Sequence, residues 1–248
     1  MIHLLPLPGS PRWGGNLKKV IRSALDDARA SEDGGADAVA IENFGDAPFY
    51  KRDVPAETVA AMAVVGAAIE QAVKLPIGFN VLRNDGHAAL ALCASCGGDF
   101  IRVNVFSGAM VTDQGIVEGS ACAVTRLRRQ LVPDAKILAD VHVKHASPLA
   151  NVPLEIAARD TIERGLADAL IVSGTGTGQT TSLADVKRVR SACPEAPILI
   201  GSGATAADAA SYLEFADGVI VGTWVKRAGK ISNPVDRNRV VALRKAVG

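Results

Sequence analysis

Short apolar runs recur along this chain, and the stretches between them carry their apolar residues at helical spacing. The runs predict strands over about 2–7, 37–42, 76–81, 99–105, 135–142, 168–173, 196–200 and 218–222. Helices are expected over about 17–33, 55–74, 86–96, 118–131, 153–165, 183–193, 205–215 and 236–247. The first helix is the clearest: Leu17, Val20, Ile21, Ala24, Leu25 and Ala28 share a face, Asn16 stands before them as a cap, and Gly34-Gly35 ends the segment. Ser182 with Asp185, and Thr205 with Asp208, have capping-box spacing at two later helix starts.

A weak repeat supports the count. Gly35-Ala36-Asp37, Gly97-Gly98-Asp99, Leu166-Ala167-Asp168 and Phe215-Ala216-Asp217 each lead into every second strand, while Pro76, Pro133 and Pro197 precede the third, fifth and seventh. Nearly continuous apolar strands alternating with helices point to a parallel sheet. Eight of each point to its closure as a (βα)8 barrel, an α/β fold occupying residues 1–248 as a single domain. An open doubly wound sheet is the main rival, but it leaves the regular count unexplained.

The working face of such a barrel is built from the C-terminal ends of its strands. The fifth strand, Ile137-Leu138-Ala139-Asp140-Val141-His142-Val143-Lys144-His145, places a polar residue at every second position of its end. Strand alternation then puts Asp140, His142 and Lys144 on one face. Other strand ends add Glu42, Asn80, Arg83, Arg102 and Asn104, and a long loop over 107–118 is a lid or a partner contact. Charges brought together there suit a catalytic pocket of Glu42, Arg102, Asn104, Asp140, His142 and Lys144, with Asp140 or Glu42 as general base and Lys144 as electrophile or Schiff-base amine. Two alternatives stand beside it. Arg102 can form a structural ion pair with Asp140 or Glu42, and Glu42, Asp140 and His142 can hold a divalent metal. His3 and His87 have no comparable context and are expected to be satisfied, non-functional histidines.

The last strand ends are glycine-rich: Ser173-Gly174-Thr175-Gly176-Thr177-Gly178, Gly201-Ser202-Gly203-Ala204-Thr205 and Gly222-Thr223. Many barrels bind phosphate there on backbone N–H groups. Asn80, Arg83, Ser173, Gly174, Gly176, Gly201, Ser202, Gly203, Gly222 and Thr223 are therefore expected to bind a phosphorylated small molecule. A dinucleotide fingerprint is excluded, because the spacing is G-x-G-x-G and the segment follows the sixth strand rather than the first.

Bulk properties narrow the classes. Lys plus Arg number 27 against 26 Asp plus Glu, so no global field draws nucleic acid, and nucleic-acid binding is not expected. No apolar run reaches the ~20 residues of a membrane span. The segment after Met1 is broken by prolines and lacks the basic start of a signal peptide, so a cytoplasmic chain is expected. Cys93 and Cys96 fall at the end of a predicted helix, where buried packing explains them better than redox or zinc chemistry. Barrels of this size often pair, so a homo-oligomer is expected.

The same motifs resemble those of a known family. His3-Leu4-Leu5-Pro6-Leu7-Pro8-Gly9-Ser10-Pro11, Glu42-Asn43-Phe44-Gly45-Asp46-Ala47-Pro48-Phe49, Asn80-Val81-Leu82-Arg83-Asn84-Asp85, Phe100-Ile101-Arg102-Val103-Asn104-Val105, Thr112-Asp113-Gln114-Gly115 and Ala139-Asp140-Val141-His142-Val143-Lys144-His145 resemble the BtpA family. The likeness continues through Gly165-Leu166-Ala167-Asp168-Ala169-Leu170 and the glycine-rich ends, over nearly the whole chain. The resemblance implies a TIM barrel related to ribulose-phosphate-binding barrels. It also implies a role in photosystem I biogenesis, where a member acts as an extrinsic, membrane-associated factor that stabilises the complex; a membrane-complex partner and a peripheral location follow from it. Relatives also occur where there is no photosystem, and one, SgcQ, belongs to a set of sugar-uptake genes. Relatives usually carry a short lead before the first strand, so an N-terminus that starts late or is trimmed is expected here. The resemblance assigns no reaction and no catalytic residue. Two expectations stand: a membrane-complex assembly factor on an enzyme-like barrel, or an isomerase, aldolase, lyase or hydrolase acting on a phosphorylated sugar or related metabolite.

Overall fold

In the computed structural model, which describes residues 1–174 and 176–248, the strands are β1 (Ile2–His3), β2 (Val39–Glu42), β3 (Ile77–Asn80), β4 (Phe100–Val103), β5 (Ala109–Thr112), β6 (Gly115–Glu118), β7 (Lys136–Val141), β8 (Ala146–Pro148), β9 (Ala169–Val172), β10 (Ile198–Ile200) and β11 (Gly218–Val219). The helices are α1 (Leu17–Asp33), α2 (Ala56–Glu70), α3 (Gly86–Cys96), α4 (Ala121–Leu131), α5 (Leu154–Arg159), α6 (Leu183–Ala192), α7 (Ala209–Leu213) and α8 (Arg237–Val247). An 8-stranded sheet runs in the order β1-β2-β3-β4-β7-β9-β10-β11, with every neighbouring pair parallel. The backbone nitrogen of Met1 donates to the Val221 carbonyl at 2.9 Å, joining the first strand to the chain that leaves the last. The fold is a TIM barrel.

Alternation along the strands divides the side chains between two compartments. Ile41, Phe79, Ile101, Ile137 and Ala139 point outward and are buried against helices, and Leu170, Val172, Ile198 and Ile200 do the same against α5 and α6. Each large side chain so covered contributes roughly 1.5–3 kcal/mol. Gly78 on the inner face is required by packing, because a Cβ there would fall on the Phe100 ring.

The aspartate repeat now has a physical reason. Asp99 accepts the N–H of Ile77 at 2.9 Å, Asp168 that of Ile137 at 2.8 Å and Asp217 that of Ile198 at 2.7 Å. Each aspartate before an even barrel strand thus holds the first residue, or the second in the case of Ile137, of the odd strand before it. Asp37 departs from the pattern and faces Arg244 at 3.6 Å. The helix caps follow the sequence reading at Asn16 and Ser182, which accept from the backbone N–H of Lys19 and Asp185. Asp208 accepts from Thr205 N at 2.6 Å, but α7 shrinks to Ala209–Leu213.

Two segments differ from expectation. The loop over 107–118 is a hairpin of β5 and β6, whose partner β8 completes a 3-stranded antiparallel sheet. Met110 and Val117 face inward with Val105 and Val143, whereas Val111 and Ile116, opposite each other, are each 44% exposed. The helix expected over 153–165 ends as α5 at Arg159 and continues as one π-helical stretch, Asp160–Arg164. Cys93 and Cys96 are buried on α3, and burial pushes the Cys93 thiol up to about 12. At the N-terminal end of the barrel, Ala40, Phe100, Leu138, Leu199 and Val219 border a largely apolar cavity of about 580 Å³ reaching α8.

Candidate active site

An ion pair crosses the barrel interior. Arg102 on β4 gives Nε and Nη2 to the two carboxylate oxygens of Asp140 on β7, each at 2.8 Å. Asn104 Nδ2 reaches Asp140 Oδ2 at 3.2 Å, and Ser173 Oγ reaches Oδ1 at 3.3 Å. Asn80 braces the arrangement from β3, donating to the Arg102 carbonyl and to Asn104 Oδ1. The Asp140 side chain is fully buried with both oxygens engaged. That is the geometry of a structural pair, since a buried charge of this kind is tolerated only when its hydrogen bonds are satisfied. Arg102, Asn104 and Asp140 come together as the sequence reading expects, but Asp140, one of its two candidates for general base, has both oxygens taken by Arg102.

Above the pair lies a cavity of about 760 Å³ lined by His3, Glu42, Arg83, Asn104, Lys144 and His145, with Asp113 and Arg12 also on its wall. His3 ends β1 and stands opposite Glu42 in the parallel register. Its Nε2 is 3.4 Å from Glu42 Oε2, and its Nδ1 is buried without a partner among the described residues. Burial, aided by the positive charges of Lys226, Lys144 and Arg102, holds the imidazole well below its ordinary pKa. Such a shift favours the uncharged ring at neutral pH. Gly222 lets the imidazole approach, because a Cβ there would lie 2.7 Å from His3 Cε1.

Arg83 Nη2 donates to the Lys144 backbone carbonyl at 2.6 Å, and both side chains line the cavity. Burial and the charge of Arg102 lower the Lys144 pKa, with Glu42 and Asp140 opposing. His145 receives the backbone N–H of Thr177 on Nε2 at 3.0 Å, so the chain after β9 is tied across the cavity mouth. Asp113 arrives on the turn of the β5–β6 hairpin.

His142 does not join this group. It takes a left-handed φ of 50° just after Val141, which ends β7 and breaks the alternation that would have aligned it with Asp140 and Lys144. The charges it feels are Asp185 and Arg188 of α6, outside the barrel interior. The set Glu42, Asp140 and His142 is thus not assembled as a metal site. Among the described residues no group of three or more His, Cys, Asp or Glu side chains is placed to hold a metal ion.

The glycine-rich ends are adjacent but tight. Gly178, Gly201, Ser202, Gly203, Gly222 and Thr223 border a crevice of about 20 Å³ that shares His3, Glu42 and Lys144 with the main cavity. That is room for about one water. Ser202 Oγ donates to the carbonyls of Gly176 at 3.0 Å and Gln179 at 3.1 Å, drawing the chain after β9 down onto the β10 turn. Gly203, at a φ of 71°, faces the Gln179 carbonyl where a Cβ would stand. Ser173 faces Asp140, and Asn80 lies beneath Arg102 and Asn104 rather than on the cavity wall. Thr175 lies outside the described residues. His3, Asp113 and His145 were not singled out from the sequence as site residues. The signal available for His3 was its place at the end of the first strand, in the register position that faces Glu42.

The model of the BtpA family matches residues 1–248. The chain belongs to the BtpA family. Photosystem I biogenesis protein BtpA of Synechocystis is 47% identical over 247 residues, covering 100% of this chain and 86% of that protein. An uncharacterised protein of Pyrococcus furiosus is 48% identical over 246 residues, covering 98% and 91%. The sgc region protein SgcQ of Escherichia coli is 33% identical over 243 residues, covering 97% and 90%. Among solved structures, native KDPGal superposes with a TM-score of 0.58 at 16% identity, covering 91% of this BtpA-family chain and 88% of its own. Phosphoribosyl anthranilate isomerase from Thermus thermophilus gives 0.56 at 13%, covering 90% and 93%. At these identities the structures share the fold alone.

Proposed function

We propose that this BtpA-family barrel is an enzyme that binds a phosphorylated sugar or related metabolite and moves a proton on it. The observation that carries the reading is His3, one ring nitrogen 3.4 Å from Glu42 and the other without a partner among the described residues, at the wall of a 760 Å³ cavity. Glu42 serves as general base, and the neutral imidazole hands a proton on or donates it to a developing oxyanion. Lys144, its charged form disfavoured by burial, neutralises negative charge or attacks a carbonyl as an amine. Arg102, Asn104 and Asp140 position these groups from below. The ligand's phosphate is assigned to the glycine-rich ends of β10 and β11, residues 176–179 withdrawing to admit it. Thermal unfolding against inorganic phosphate, pentose phosphates, hexose phosphates and nucleotides tests this directly. A ligand at ~100 times its dissociation constant adds about 2.7 kcal/mol and raises the midpoint by roughly 5–10 °C. The absence of any shift from all phosphorylated compounds would sink the reading.

A second reading rests on a different surface. The Synechocystis relative bears the name of a photosystem I biogenesis protein, and the outer face of the β5–β6–β8 sheet exposes Val111 and Ile116 at 44% each and Leu149 at 54%. An assembly factor would use that face against a membrane-complex subunit. Replacing Val111 and Ile116 with Asp would then abolish complex assembly in a host that needs the protein, with ligand-induced stabilisation unchanged.

A further inference from the structure

We infer that the cavity holds a second anion subsite, at Arg83 and Lys144, which takes a carboxylate of the same ligand, so that the substrate is a phosphorylated sugar acid rather than a neutral sugar phosphate. The inference rests on the reading of the barrel as a sugar-phosphate enzyme. Arg83 is 4% exposed yet lines the cavity. It enters none of the ion pairs among the described residues. Its Nε is buried with no hydrogen-bond partner among the described residues, and the acceptor of its Nη2, the Lys144 carbonyl, carries no formal charge. Lys144, on the same cavity wall, is also absent from those pairs.

The contrast within the same barrel sharpens the point. Arg102 and Lys226, the other buried cations, each have a carboxylate of their own in Asp140 and Asp27. A guanidinium taken out of water without a counter-ion in contact is costly, and Asp140, Asp113 and Glu42 act on Arg83 only from beyond ion-pair distance. Arg83 and Lys144 therefore hold a position that a ligand oxyanion completes. The planar fork of Arg83 fits the two oxygens of a carboxylate once the side chain turns its buried Nε towards the cavity. The glycine-rich crevice lies elsewhere on the wall, is lined by Lys144 but not Arg83, and is left for the phosphate.

The test compares matched ligands that differ only at one end: 6-phosphogluconate against sorbitol 6-phosphate, and 4-phosphoerythronate against erythritol 4-phosphate. Dissociation constants are measured for the full chain, for Arg83→Met and for Arg83→Lys. The acid of at least one pair is expected to bind on the order of tenfold more tightly than its polyol, the yield of a charge-assisted bidentate contact. Arg83→Met is expected to erase that advantage while the polyol phosphate keeps its affinity, and Arg83→Lys to restore part of it. Arg83→Met gives up one hydrogen bond, to the Lys144 carbonyl, and no ion pair, so its melting midpoint is expected to stay within about 5 °C of the parent chain's. An acid advantage that survives in Arg83→Met overturns the inference, as does equal binding of acid and polyol in both pairs. If no phosphorylated compound binds at all, the parent reading fails instead, and the two failures are told apart by the polyol phosphates.

Discussion

Arg102 and Asp140 face each other from neighbouring barrel strands with two parallel contacts of 2.8 Å, and the carboxylate has no exposed surface. Asp140→Asn leaves Arg102 charged and unpaired in the interior, and such a break costs roughly 3–5 kcal/mol. At about 2–4 °C per kcal/mol for a chain of this size, the melting midpoint is expected to fall by on the order of 10 °C. The double change Arg102→Met with Asp140→Leu should recover most of that loss in the same melting experiment. A full loss of turnover by Asp140→Asn at unchanged midpoint would instead return Asp140 to a catalytic role.

His3 links stability to pH. Burial lowers its folded pKa beneath the ordinary 6.5, so on acidification the unfolded chain binds a proton that the folded chain refuses. Stability is complete above pH 6.5 and declines as pH falls towards the folded pKa, with a slope of up to about 1.4 kcal/mol per unit. Urea midpoints measured between pH 7.5 and 5 should show this decline, flattened in His3→Gln. The flattening is partial, because His142 and His145 are lowered too. An unchanged slope in His3→Gln would show that the ring is protonated in the fold.

Asp27 on α1 ties down the chain that follows β11. One oxygen pairs with Lys226 and the other accepts the N–H of Val235 at 2.6 Å. Asp27→Ala is expected to cost about 3–5 kcal/mol. Hydrogen exchange should speed up at Val235 and Arg227, whose backbone contacts close the same segment, before it does in the barrel strands.

Gly222→Ala tests the place of the imidazole. The added methyl would lie 2.7 Å from His3 Cε1 and 3.1 Å from Nε2, so the ring must move relative to Glu42. Misplacement on this scale is expected to lower kcat/KM by about tenfold or more, with a change in melting midpoint much smaller than that of Asp140→Asn. Normal turnover would remove His3 from the chemistry.

The barrel was legible in the chain because parallel strands covered on both sides are short apolar runs, and alternating helices punctuate them. Even the aspartate repeat was visible, although its cause, an aspartate holding the start of the preceding strand, needed the register. Local backbone geometry was the harder part. Strict alternation placed His142 beside Asp140, and a single left-handed residue undid it. The hairpin hid in what read as a loop because its strands have four residues each; its signal was Met110-Val111 and Ile116-Val117 flanking Asp113-Gln114-Gly115. His3 read as a satisfied, non-functional histidine because β1 is two residues long, too short for any periodicity, and only pairing with β2 sets it against Glu42.

Arg102 borders the crevice at the working end and the 580 Å³ cavity at the opposite end. A TIM barrel ordinarily stacks three layers of side chains along its axis; here, at Arg102, the two chambers share a partition about one side chain deep. Charge sits on the upper side of this wall and mostly hydrocarbon on the lower. An inert guest such as xenon, pressed into the lower chamber, would push against the same guanidinium that frames the chemistry above.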